Sequence, residues 1–291
     1  MDVKIIGVIG AGTMGRGIAY AAAFGGYRTV LEDVSRETLE QGIDYIRRTF
    51  DDGVTRGKAT ERQRQDALAG LSTARSAEEV CREADLLIEA VPEEMELKLE
   101  IFTLFDKFAK PGAILASNTS SLSVTELAAI TSRAGDCIGM HFFNPVPKMK
   151  LLEIVRALET GEATVAACAE VGRRMGKEVV VVRESPGFIT SRINAMIGNE
   201  AFYMLQEGIA SASDIDKALK LGLNHPMGPF ELVDLVGLDV RLSILEYLHK
   251  TLGDKYRPCP LLAQYVKAGR LGRKSGRGVY EYSVDEEKKP S

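Results

Sequence analysis

The sequence predicts an α/β protein, with an N-terminal doubly wound, mostly parallel sheet and a C-terminal domain that is entirely helical. Short apolar runs rich in β-branched residues alternate with helical patterns as far as residue 182, which is the order of a parallel α/β sheet. From residue 188 onward helical periodicity continues with almost no strand pattern. The breaker dipeptide Pro186-Gly187 separates the two parts. We therefore expect domains at 1–184 and 185–282, followed by a charged, flexible tail at 283–291.

Composition and charge restrict the class of protein. A chain of 291 residues, 45% hydrophobic and 27% charged, is long enough for two soluble domains, each with its own core. The net charge of −4 argues against binding to nucleic acid, which usually requires a basic surface. No apolar run is long enough to span a membrane, and we see no cleavable signal. The four cysteines lie far apart without CxxC spacing, which predicts no metal site and a reducing, cytoplasmic location.

The first strand, at residues 4–9, runs into a glycine-rich turn that opens a helix of small residues. Its first glycine makes the tight turn, the second lets the backbone approach a pyrophosphate, and the third lets helix and strand pack closely. The start of the helix adds unpaired N–H donors for the phosphates. A Rossmann-like dinucleotide site is therefore predicted. We expect six residues to form its loop: Gly10, Ala11, Gly12, Thr13, Met14 and Gly15.

An acidic residue follows the second strand, as the dinucleotide fingerprint requires. Asp33 lies 23 residues after Gly10, close to the spacing of the carboxylate that binds the adenosine ribose hydroxyls. A carboxylate there repels a 2′-phosphate and favours NAD, although the nearby Arg36 leaves NADP open. The helical stretch at 36–71 carries many charges, which by default form a solvated helix face. The alternative is a docking surface for a phosphorylated carrier such as coenzyme A.

Polar residues at 117–121 follow the buried-type strand at 113–116. Open α/β sheets place their ligands at the C-terminal ends of the strands, so this cluster is a candidate binding site. The alternative is that Ser121 or Ser123 caps the helix at 124–129. Both interpretations are compatible, because a cap uses only one hydroxyl.

The segment 139–155 places His141 and Glu153 twelve positions apart, with a proline-rich turn between two strand patterns. Two strands joined in this way bring an imidazole and a carboxylate together. A carboxylate that accepts from one ring nitrogen fixes the tautomer and makes the other nitrogen a general base. The alternative is a core histidine that is bonded to a backbone carbonyl.

Seven motifs resemble those of the 3-hydroxyacyl-CoA dehydrogenase family, and within it those of the short 3-hydroxybutyryl-CoA dehydrogenases. The resemblance extends over residues 3–282. The motifs are GAGTMGRGIA at 10–19, EAVPEE at 89–94, SNTSSL at 117–122, HFFNPVPKMKLLEIV at 141–155, SPGFITSRI at 185–193, HPMGPFELVDLVGLD at 225–239 and GRKSGRGVY at 272–280.

The resemblance implies a role for each matching residue. His141 is the general acid/base, Glu153 is its partner, and Ser120 hydrogen-bonds the C3 oxygen of the substrate. Contacts with the cofactor are implied for Glu93, Lys98, Ser120, Asn144 and Lys274. The family often has asparagine in the PGF-x-x-N-R motif, where it contacts the substrate oxygen. This chain has Ser191 there, a catalytic candidate that is shorter and has one donor. Asn194, one helical turn later, is a candidate substitute.

The implied activity is NAD-dependent, reversible oxidation of a short (S)-3-hydroxyacyl-CoA, such as 3-hydroxybutanoyl-CoA, to the 3-ketoacyl-CoA in fatty acid or butanoate metabolism. Arg48 and Lys58, with Ser120, are the candidates for binding the CoA substrate. Apolar faces in the helical domain, together with the resemblance, predict a homodimer formed through that domain. Two other functions stay open: a dehydrogenase for a free hydroxy acid or sugar acid, and a non-catalytic, crystallin-like nucleotide-binding protein. A 3-hydroxyisobutyrate-type enzyme is disfavoured, because residues 190–199 lack the lysine that it requires.

Overall fold

The computed structural model describes residues 2–282 and divides into two compact units, with the boundary between Ser185 and Pro186. The tail predicted at 283–291 lies outside the described residues. Among the helices of the described part, none is long and apolar enough to cross a membrane.

The first unit is built on one eight-stranded sheet, with strand order β3-β2-β1-β4-β5-β6-β7-β8. Its strands are β1 (Ile5–Ile9), β2 (Arg28–Glu32), β3 (Leu71–Thr73), β4 (Leu86–Glu89), β5 (Ile114–Ser117), β6 (Cys137–Phe142), β7 (Leu151–Arg156) and β8 (Glu178–Arg183). Every neighbouring pair is parallel except β6 and β7, which are antiparallel. The predicted mostly parallel sheet is confirmed.

Helices cover both faces of this sheet. They are α1 (Thr13–Phe24), α2 (Arg36–Thr55), α3 (Glu61–Ala69), α4 (Ala77–Glu83), α5 (Met95–Phe108), α6 (Val124–Ala129) and α7 (Glu162–Arg174). Because successive strand residues point to opposite faces, Leu86 and Ile88 of β4 belong to one apolar cluster and Leu87 to the other. α1, α2 and α7 complete the first cluster, and α4, α5 and α6 complete the second. The sheet is therefore doubly wound, as predicted.

Local turn chemistry corrects one expectation in this unit and decides between two alternatives. The helical stretch predicted at 36–71 is two helices, because Thr60 and Gln63 form a capping box that starts α3. The cap of α6 is Ser123, whose side chain accepts from the N–H of Glu126. Ser121 is therefore not the cap, and it stays in the polar loop before the helix.

The second unit is helical, and it contains α8 (Thr190–Gln206), α9 (Ala212–Gly222), α10 (Pro229–Val236), α11 (Leu238–Leu252) and α12 (Pro260–Lys267). Its core includes Phe202 and Phe230, whose rings meet edge to face at 5.2 Å. The helical periodicity of the sequence runs on through residues 229–252, but the structure breaks it at Gly237, which has φ +108°. A positive φ is unfavourable for residues with a side chain, so the glycine permits the break.

Candidate active site

The loop between β1 and α1 has the shape of a dinucleotide-binding turn. Gly10 has φ +99°, and a Cβ placed there would lie 2.7 Å from the carbonyl oxygen of Ala90. A Cβ on Gly15 would lie 1.7 Å from the carbonyl oxygen of Gly10, so the strand and the helix approach too closely for any other residue.

The same loop leaves space for an anion at the start of α1. Gly12 is the N-cap of α1. Within residues 2–282 no side chain caps this helix, and a Cβ on Gly12 would meet nothing within 4 Å. The first N–H groups of the helix therefore face open space, with the partial positive charge of the helix dipole behind them. This arrangement fits the pyrophosphate of NAD.

Asp33 fastens this loop to the end of β2. Its Oδ2 accepts from the N–H of Ala11 at 2.7 Å, and its Oδ1 accepts from the N–H of Ser35 at 2.8 Å. The Arg36 Nε donates to Glu40 at 3.0 Å in an exposed pair along α2. Arg36 is therefore paired along its own helix, and Asp33 is a negatively charged group at this end of the site.

A cleft of about 1080 Å³ runs from Asp33, past the glycine loop, to His141. This volume exceeds that of a pocket for an ordinary small ligand and suits an extended dinucleotide. The predicted site residues that line it are Gly10, Gly12, Thr13, Met14, Asp33, Glu93, Ser120, His141 and Asn144. Other lining residues are not singled out by the sequence, among them Val34, Thr38, Arg75, Ile101, Leu104 and Phe143. Two of these have a signal in the sequence: Val34, which is fully exposed, follows Asp33, and Phe143 lies in the motif at 141–155.

His141 and Glu153 lie directly opposite each other in the antiparallel register of β6 and β7. His141 Nδ1 is 2.7 Å from Glu153 Oε2, and both side chains are buried. Because a carboxylate only accepts, Nδ1 carries the proton and donates it. The contact predicted from the sequence is present, and the partner of Nδ1 in it is a carboxylate. This geometry fixes the ring and provides a counter-ion for an imidazolium.

Glu93 binds the polar loop that follows β5. Its Oε1 accepts from the Ser120 N–H at 2.8 Å and from the Thr119 hydroxyl at 2.6 Å. Burial acts to raise the pKa of Glu93, but the Lys98 ammonium and these hydrogen bonds hold it below its ordinary value. Asn118 Oδ1 accepts from the Phe142 N–H at 3.0 Å, which ties the same loop to β6 beside His141.

The remaining predicted residues lie elsewhere, and their roles stay predictions. Lys98 is not at the surface of the cleft but is 1% exposed beneath it, bonded to Glu89 and Glu93. Arg48 is exposed on α2 and donates to the carbonyl of Asp44 on its own helix. Lys58 lines a separate cleft of about 490 Å³. In the second unit, Ser191 lies in the first turn of α8, and the Lys274 Nζ donates to Asp239 at 2.6 Å.

Comparisons with known proteins agree with these features. The family model described as 3-hydroxyacyl-CoA dehydrogenase, NAD binding domain, matches residues 5–185, and the C-terminal domain model of the same family matches residues 187–282. The chain is 48% identical over 283 residues to the probable 3-hydroxybutyryl-CoA dehydrogenase of Bacillus subtilis, which covers 97% of this chain and 98% of that protein. It is 47% identical over 281 residues to the 3-hydroxybutyryl-CoA dehydrogenase of Bradyrhizobium diazoefficiens, with 96% of each covered.

A solved structure shows the same architecture. The (S)-3-hydroxybutyryl-CoA dehydrogenase of Ralstonia eutropha superposes with a TM-score of 0.93 at 44% identity, over 97% of this chain and all of that one. The match of the NAD-binding domain model over the first unit identifies NAD as the cofactor. The chain belongs to the 3-hydroxyacyl-CoA dehydrogenase family.

Proposed function

We propose that this protein catalyses the reversible, NAD-dependent oxidation of a short (S)-3-hydroxyacyl-CoA to the 3-ketoacyl-CoA. The observation that carries the proposal is the buried bond of 2.7 Å between His141 Nδ1 and Glu153 Oε2 at the end of an NAD-type cleft. A dehydrogenase of this kind needs a group that removes the hydroxyl proton, and an oriented imidazole is the usual one.

In the proposed mechanism His141 and its partner move the proton. Since Nδ1 donates to Glu153, we assign proton transfer to the other ring nitrogen, Nε2, which removes the proton from the C3 hydroxyl. Glu153 then stabilises the imidazolium, and in the reductive direction His141 returns the proton. Bound NAD supplies the hydride acceptor. Ser120 donates to the C3 oxygen and stabilises the charge that develops there.

The binding of the CoA phosphates is proposed for basic residues on the first unit. Lys58 shares its 490 Å³ cleft with Lys148, Lys150 and Lys177, and among the described residues no acidic one lines that cleft. A group of ammonium ions without acidic neighbours attracts a polyanion, and the CoA moiety is the phosphorylated part of the substrate. Arg48, exposed on α2, is the second cation that we assign to this role.

The test of the CoA site compares acetoacetyl-CoA with acetoacetyl-pantetheine, which has the thioester but lacks the phosphates. We expect Lys58→Ala to raise the KM for the CoA ester about tenfold, the usual effect of one charge-assisted bond, and to leave the pantetheine ester unaffected. Lys107→Ala, an exposed lysine on α5, is the control. Equal effects of Lys58→Ala on both esters would exclude a role in phosphate binding.

The reaction itself is tested by following NADH absorbance with four combinations, acetoacetyl-CoA or acetoacetate with NADH or NADPH. Rapid oxidation of NADH with the CoA ester alone is the expected result. Activity on acetoacetate alone would favour the hydroxy acid or sugar acid alternative. Preference for NADPH would contradict the role of Asp33, and inactivity in all four would favour a non-catalytic, crystallin-like protein.

A homodimer formed through the second unit and a cytoplasmic location are also proposed. Ile189, Ile193 and Val240 expose between 41% and 56% of their surface on helices or helix starts of that unit, which supports association of two copies. All four cysteines are buried as thiols, which supports a reducing compartment. Light scattering of the purified protein should give twice the chain mass. A monomer across the micromolar range would contradict the dimer.

A further inference from the structure

Glu89 is a fully buried carboxylate at the C-terminal end of β4, in the middle of the sheet. Its Oε1 accepts from Lys98 Nζ at 2.7 Å and from the Val91 N–H at 2.7 Å, and its Oε2 accepts from the Ser117 hydroxyl at 2.6 Å. All three partners are donors, so the ionised form fits the site, although burial raises the pKa of Glu89. A buried ion pair contributes little net stability, because desolvation of the two charges offsets their attraction. Stability alone therefore does not explain why a charged residue lies at the buried end of β4.

Two chains of contacts run from Glu89 to the same loop. The first passes through Lys98, whose Nζ also lies 3.3 Å from Glu93 Oε2, while the other oxygen of Glu93 binds the Ser120 N–H at 2.8 Å. The second passes through Ser117, whose hydroxyl oxygen accepts from the Thr119 N–H at 3.2 Å. Both end beside Ser120, which lines the cleft with His141.

We infer that Glu89 is a positioning residue, which fixes Glu93 and the Ser120 loop through Lys98 and Ser117 without itself touching substrate or cofactor. The inference rests on the proposed function. The Lys98 ammonium forms ion pairs with two carboxylates. Its Nζ lies 2.7 Å from Glu89 Oε1 and 3.3 Å from Glu93 Oε2, so the contact with Glu89 is the closer one. Without the charge on Glu89, the ammonium is drawn toward Glu93 and competes with Ser120 for that carboxylate.

The test is Glu89→Gln, which keeps the size of the side chain and one acceptor for Lys98 but removes the charge. Ser117→Ala removes the hydroxyl that links Glu89 to Thr119 in the second chain of contacts. If Glu89→Gln does not fold, the Ser117→Ala variant alone tests the inference. Ser132→Ala is the matched control, because it removes a serine–carboxylate bond of 2.9 Å to Asp106 that lies outside the cleft. The assays are kcat and KM with acetoacetyl-CoA, the NADH dissociation constant from fluorescence, and the melting temperature.

We expect Glu89→Gln and Ser117→Ala each to lower kcat by about 10- to 100-fold, the effect of misplacing a substrate-orienting group by a fraction of an ångström to an ångström. NADH affinity should fall less than kcat, by no more than about tenfold: Glu93 and Ser120 are implied cofactor contacts, but the glycine loop and Asp33 are untouched. The double variant should lose less than the product of the single losses, since both chains act on one loop. The Ser132→Ala variant should match the wild type.

Three results would overturn the inference. A normal kcat with a lowered melting temperature would make Glu89 purely structural. A rise in the NADH dissociation constant as large as the fall in kcat would make it a determinant of binding. Fully multiplicative losses would mean that the two chains of contacts act independently. Because the wild type is measured first with acetoacetyl-CoA, failure of the proposed function appears as an inactive wild type and is distinct from all three.

Discussion

Replacement of Glu153 by glutamine tests the electrostatic part of the proposed mechanism. The variant keeps the shape of the side chain and an acceptor for His141 Nδ1, but removes the negative charge 2.7 Å from the ring. Glu153 is 1% exposed, so water cannot screen the loss. A hydrogen bond to a charged group contributes about 1.5–3 kcal/mol, which corresponds to about 10- to 150-fold in rate when it stabilises the imidazolium.

We therefore expect Glu153→Gln to lower kcat by about 100-fold and to change the KM for acetoacetyl-CoA only slightly, because Glu153 acts through His141 and not on substrate. The assay is the steady-state oxidation of NADH, with the melting temperature measured in parallel. Glu162→Gln is the control, since that carboxylate binds Arg156 at 2.7 Å on the protein surface, where an ion pair contributes little. A kcat within threefold of the wild type, or a loss confined to KM, would refute the assignment.

Three further predictions concern the cofactor loop and a buried lysine. Asp33→Asn should raise the NADH dissociation constant about tenfold by weakening the bond to the Ala11 N–H, as measured by fluorescence titration. Gly15→Ala should destabilise the fold by about 3 kcal/mol or more in urea unfolding, because its Cβ would overlap the carbonyl of Gly10 in the loop after β1. Gly12→Ala should fold normally and lose cofactor affinity. Burial lowers the pKa of Lys177 from 10.5 to about 8, so between these pH values the unfolded chain binds more protons. The stability of the wild type relative to Lys177→Met should therefore rise with pH from about 8 to 10.5, by an amount on the order of 1–3 kcal/mol.

Each of these predictions has a contrary result. An unchanged NADH affinity in Asp33→Asn would mean that the hydrogen bond from the Ala11 N–H to Asp33 does not contribute to cofactor binding. Equal stabilities of Gly15→Ala and Gly12→Ala would contradict the close approach of strand and helix. A pH-independent stability difference for Lys177→Met would mean that Lys177 keeps an ordinary pKa in the fold.

Strong periodic segments made most of the fold predictable. The strand–turn–strand pattern of residues 139–155 corresponds to β6 and β7. β3 and α4 are not predicted by the sequence, because the three residues of β3 and the seven of α4 bury too few apolar side chains to give a pattern. The break at Gly237 was also missed, because the apolar pattern continues through it and a positive φ leaves no periodic signal.

The candidate site likewise has one part that the sequence predicts and one part that it does not. The contact of His141 with Glu153 follows from the strand–turn–strand pattern of one continuous segment. Lys98 was assigned to the cofactor from the resemblance, but it lies beneath the cleft, where it joins Glu89 to Glu93. That arrangement depends on the packing of α5 against the ends of two strands, so no local pattern in the sequence predicts it.

The most direct test of the central claim is the turnover of His141→Gln with acetoacetyl-CoA, measured together with its NADH affinity. If His141 is the general acid/base, kcat falls by about 10²- to 10⁴-fold, while the NADH dissociation constant stays within about twofold of the wild type. Near-normal turnover in this variant would contradict the proposed mechanism.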